Sequence, residues 1–220
     1  MKSSSKKSAV KWLLGGFTAL ILTISLTGCS QTAEESPELE KTTDASLAET
    51  AEYVPASADG PAQNVPEPRL PVSATENSED GAKATLEYFW EAEAFASLTG
   101  NGDSLAVVSD DSCAFCHESI DGWPKNYEDG YWSVLHGDII VNVTEVVTSE
   151  EDDEEESVAH IYFELTEPAT DFYNEEGKHL EASFDETDTQ DWFAILNYDA
   201  TAQIWKVEWL GFEDDVVWEE

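Results

Sequence analysis

One short stretch of the chain concentrates its reactive side chains: Cys113-Ala114-Phe115-Cys116-His117. Two thiols three residues apart at a helix start can close a disulfide. The same spacing serves thiol–disulfide exchange or, with the histidine that follows, thioether attachment of a c-type haem. Each chemistry makes its own demand. Exchange needs a stabilised thiolate, which Asp110, Asp111, Glu118 and Asp121 oppose by raising the thiol pKa. Haem needs axial ligands, and with Met1 the sole methionine these would come from His136, His160 or His179. A structural Cys113–Cys116 disulfide needs only an oxidising compartment, and is the expected pairing.

The compartment is indicated at the N-terminus. Residues 1–28 form a signal-peptide pattern: Lys2, Lys6, Lys7 and Lys11, then an uncharged apolar run through Leu26, then small residues. No twin arginine is present, which favours the general secretory route. Leu26-Thr27-Gly28-Cys29 resembles a bacterial lipobox, so Cys29 is the expected lipidation site, carrying diacylglycerol and palmitate-like chains once the bond before it is cut. Each buried methylene contributes about 0.8 kcal/mol, so two or three acyl chains hold a protein on a membrane without a spanning helix. The expected location is the outer face of the cell membrane. The expected partners are that membrane, through the anchor, and an envelope component or protein. All 48 acidic residues follow Gly28, against six basic ones. A chain so negative is repelled by phosphate backbones and anionic headgroups, which excludes nucleic acid as a partner.

Positioning these groups falls to two regions of contrasting composition. Residues 29–80 hold six of the eight prolines and almost no large apolar side chain, the composition of a disordered linker. Residues 81–212 read as one globular domain, followed by an acidic tail over 213–220. In the domain Ala82, Leu86, Phe89, Trp90, Ala94 and Leu98 recur at helical steps. A second helix should open at Asp110 or Ser112 and stop before Pro124. Strands are expected at 132–135, 139–147, 158–165, 180–184, 192–198 and 204–210. This predicts an α+β fold: two N-terminal helices packed on a curved antiparallel sheet, the cone of the nuclear transport factor 2-like fold.

The domain also resembles a family of uncharacterised actinobacterial lipoprotein domains. The likeness rests on Leu86-Glu87-Tyr88-Phe89-Trp90, Gly102-Asp103-Ser104-Leu105, Ser109-Asp110-Asp111-Ser112-Cys113-Ala114-Phe115-Cys116 and Tyr127-Glu128-Asp129-Gly130. His117 departs from the pattern. The resemblance implies an exported, tethered domain and brings no catalytic residue and no cofactor.

Further groups have plainer explanations. The acids from Glu150 to Glu156 suggest a loose cation site but read more simply as a solvated hairpin loop, and Asp185, Asp188 and Asp191 lack the glycine of a calcium loop. No metal is expected. His136, Asp138 and Tyr88 are conceivable acid–base members of a cone pocket, and Trp205 and Trp209, expected on one strand face, are core candidates. The function expected is a non-catalytic binding or interaction module. The rival is a thiol-redox or c-type haem protein built on Cys113, Cys116 and His117. An enzyme is a third reading, and it would require an open apolar pocket holding paired titratable groups.

Overall fold

Helix α1 (Glu79–Thr99) is the axis on which the other elements pack. Ser78 caps it, its hydroxyl accepting from the Gly81 N–H at 3.1 Å, and Glu79 and Asp80 answer the positive end of the dipole. Gly100, at φ 71°, ends it in the left-handed conformation that glycine adopts without strain. The computed structural model describes residues 51–150, 157–184 and 187–212. The export segment, Cys29, the acids over 151–156, Asp185 and the tail over 213–220 lie outside the described residues.

After α1 come α2 (Asp103–Val108), α3 (Ala114–Glu128), β1 (Tyr131–Leu135), β2 (Ile140–Glu150), β3 (Ser157–Glu167), β4 (Thr170–Asn174), β5 (Asp188–Asp199) and β6 (Ile204–Phe212). β2, β3, β5 and β6 form an antiparallel sheet in that order, and β1 pairs with β4 apart from it. The molecule is a mixed α+β structure compatible with a cone. Alternation on β3 sends Ala159, Ile161, Phe163 and Leu165 towards Leu86, Phe89 and Trp90 of α1, in a core that includes Trp192, Leu196, Trp205 and Val207. Each such leucine, isoleucine, valine or phenylalanine contributes about 1.5–3 kcal/mol on burial.

The structure corrects five sequence expectations. Three α-helices are present rather than two, because 103–108 closes a short turn of its own. The last helix runs through Pro124 to Glu128. The proline leaves the Ile120 carbonyl without its usual donor, and that oxygen would lie 2.8 Å from a Cβ placed on Gly102. Trp123 and Tyr127 keep the final turns packed, with the Tyr127 hydroxyl donating to the Ser97 carbonyl at 2.9 Å. The strand expected at 180–184 is absent. Thr170–Asn174 is the strand there, and the later segment pairs with it through isolated bridges at His179 and Phe184 rather than as a strand of its own. Trp205 and Trp209 do not share a face. The register shifts on β6 between Val207 and Trp209, so Trp205 is fully buried while Trp209 turns to Phe193 on the opposite face.

The fifth correction concerns the linker. Residues 51–78 are docked on the domain rather than free of it. Val54 and Gln63 bridge across a tight hairpin, and Val72–Thr75 forms a 3-10 turn with Ala74 fully buried. The domain holds this segment by its carbonyls. The Trp132 indole donates to Ser57 O at 2.8 Å, the Tyr198 hydroxyl to Thr75 O at 2.9 Å and the Trp205 indole to Glu76 O at 2.8 Å. The approach is close enough that a Cβ on Gly81 would sit 2.0 Å from Glu76 O.

Candidate functional site

The paired cysteines are joined to each other and buried. Their sulfurs are bonded across 5.3 Å between Cα atoms, Cys113 caps α3, and Cys116 is fully buried against the Val207 carbonyl of β6. Cys113 is 1% exposed. Neither sulfur offers an edge to an attacking thiol or a haem vinyl group, and reaction at sulfur depends on that access. His117 is exposed, with its ring bonded to the Asp111 carbonyl at 3.0 Å.

The acid–base members singled out from the sequence are not brought together. Tyr88 is buried and donates to the Ser104 carbonyl, whereas Asp138 lies on the rim of an open groove of about 710 Å³ beside Tyr53 and Trp90. His136 instead meets His179. Both Nε2 atoms contact the Asp171 carboxylate, at 2.8 and 2.7 Å, and these bonds, His136 first, hold the carboxyl below the usual aspartate range. His160 packs on Phe193. Among the described residues no three His, Cys, Asp or Glu side chains converge to hold a metal ion. No helix there is long and apolar enough to cross a membrane.

A cavity of about 250 Å³ opens between α1, α3, the β1–β2 connection and the β3–β4 turn. Its walls are Trp123, Leu135, Ile139, Pro168, Phe172 and Phe184, with the acids Glu93, Glu167 and Asp188 among them. Trp123 does two things at once. Its ring stacks on Phe172, centroids 6.3 Å apart and 12° from parallel, and its N–H donates to Glu93 Oε1 at 2.8 Å. Phe172 meets Phe184 edge-on, and Phe184 is 65% exposed at the entrance.

Glu93 is 8% exposed, and its Oε2 is sealed from water with no hydrogen-bond partner. Desolvation drives its pKa up; Trp123 and, less, Ser119 favour the ionised form, and Glu167 opposes it. Glu167 is raised by burial and then by Asp188, whose carboxylate accepts from the Gln190 amide. Among the described residues no Lys, Arg or His forms an ion pair with any of these three acids. The remaining orphans, the Trp90 and Trp192 indole N–H groups and Asn197 Oδ1, are neutral and correspondingly less costly. The sequence reading missed Glu93. Its signal was an acid inside Ala92-Glu93-Ala94-Phe95-Ala96, a helical stretch with apolar residues on every side.

A family model described as a family of unknown function, DUF6318, matches residues 51–209, a span that takes in the docked segment. No curated protein matches the chain. Among solved structures, the intermembrane-space region of the chloroplast protein ARC6 is 12% identical, with a TM-score of 0.42 over 62% of this chain and 96% of that one. A putative polyketide cyclase from Xanthomonas campestris pv. campestris is 14% identical, with a TM-score of 0.28 over 60% of this chain and 90% of the other.

Proposed function

This chain belongs to the DUF6318 family of unknown function, and from that premise we propose that it is a binding module, tethered outside the cell by lipid on Cys29, that takes a small ligand into the Glu93 cavity. One observation carries the reading. Glu93 lines a cavity walled by Trp123, Leu135, Ile139, Pro168, Phe172 and Phe184, and its Oε2 is buried without a hydrogen-bond partner, which costs on the order of 1–3 kcal/mol or more. The antiparallel sheet closed by helices supports the further reading of the domain as a nuclear transport factor 2-like cone.

A catalytic reading of the same cavity would use Glu93 as a general acid. The hydroxyls on the wall argue against it: Ser97 Oγ donates to the Ala94 carbonyl and Thr170 Oγ to the Pro168 carbonyl, so neither is activated by a base. The burial of Cys113 and Cys116 favours a structural staple over redox or haem chemistry.

Two experiments test the proposal. Cys29→Ser should abolish palmitate labelling and move the protein from the membrane to the soluble fraction; retention of label on the variant overturns the anchor. For the cavity, single-ring amines, alcohols and acids are screened by ligand-observed NMR. Binding is expected from at least one class and is lost in Gln190→Trp, which fills the mouth. Binding that survives that variant places the ligand elsewhere, and a panel with no binder removes the cavity reading.

A further inference from the structure

Resting on the cavity reading above, we infer that the ligand is an organic cation: a protonated amine carried on a small apolar or aromatic body. The walls supply half of the argument. Glu93, Glu167 and Asp188 line one cavity, no cationic side chain among the described residues forms an ion pair with them, and Glu93 Oε2 has no hydrogen-bond partner there. A positively charged N–H donor supplies the countercharge that these acids lack and so relieves their mutual repulsion. A neutral donor does not.

The second half comes from the rings. Trp123 and Phe172 stack along one wall and Phe184 stands at the entrance, so the faces that line the route are negative quadrupoles that attract cations. A bare metal ion does not suit the site, because no three ligating side chains among the described residues converge. The volume limits size. At about 250 Å³ the cavity falls below the roughly 300–1,000 Å³ typical of pockets for drug-sized ligands, which leaves room for one ring with a short chain. An anion is repelled by the walls and by the excess of acid over the whole chain.

The test is calorimetric titration of the full chain with three probes of matched shape: 2-phenylethylamine, 2-phenylethanol and 3-phenylpropionate. The amine should bind at least about tenfold more tightly than the alcohol, and the acid more weakly than either. Glu93→Gln and Glu167→Gln should each remove most of that preference, read as the ratio of amine to alcohol affinity within each variant. Glu167 is the less buried of the two, and thermal melting confirms that both variants fold. If the alcohol or the acid binds as tightly as the amine, or if the preference for the amine survives both substitutions, the cation inference fails and the cavity reading stands. If none of the three binds, the cavity reading fails with it.

Discussion

Glu93 and Glu167 are held above the ordinary glutamate value of 4.5, chiefly because burial penalises their charged forms. The native state therefore keeps protons that the unfolded chain releases, and between 4.5 and the raised values stability falls as pH rises. Above the raised values the loss is complete. Asp110, Asp171 and Asp199 act in the opposite direction, since their hydrogen-bonded carboxylates sit below the ordinary 3.8 and their contribution disappears only as pH falls through the depressed values. The wild-type melting temperature should be higher at about pH 5 than at about pH 8, and Glu93→Gln should narrow the gap by raising the value at the higher pH. An equal gap in the two proteins counts against a strained carboxylate. Trp123→Phe tests the same group from the other side. It keeps the stack on Phe172 but leaves Glu93 without its 2.8 Å donor, and should cost about 1–3 kcal/mol in urea denaturation at neutral pH, less in acid.

Among the elements, those whose side chains carry a period were legible beforehand. The helical steps from Ala82 to Leu98 and the alternation along Val158–Leu165 correspond to α1 and β3, since both pack one set of residues against the same core. Elements held by backbone groups were not. Residues 51–78 dock because Ser57, Thr75 and Glu76 offer carbonyl oxygens to Trp132, Tyr198 and Trp205, and every residue has a carbonyl. Composition is blind to such contacts, and the abundance of proline in this stretch says only that it lacks a core of its own. The cavity was hidden for a related reason: α1, α3 and the β3–β4 turn meet there from distant parts of the chain. Trp205→Phe should cost about 1–3 kcal/mol, as the Glu76 carbonyl loses its indole donor. The Cys113–Cys116 cross-link closes so small a ring that Cys113→Ser with Cys116→Ser should cost towards the low end of about 0–5 kcal/mol, read from the urea midpoint. A loss near the upper end would mean that the bond fixes the start of α3 rather than merely shortening the unfolded chain.

At the scale of the whole molecule, charge sets the terms. With 48 acidic residues and a net charge of −38, self-repulsion opposes the compact state. Added sodium chloride should raise the urea midpoint until the repulsion is screened, at ionic strengths where the Debye length falls to several ångströms. A midpoint indifferent to salt would mean the acids are spread too far apart to interact. The docked segment gives the molecule a further property, which is mechanical. Load applied ahead of residue 51 reaches the core through the seam where Trp132, Tyr198 and Trp205 grip the 51–78 backbone. Those three bonds act as a fuse. Under tension the seam should part before the sheet does, releasing roughly 95 Å of chain as a first, low-force step in a single-molecule pulling trace. The domain beyond it would stay folded, with its cavity intact.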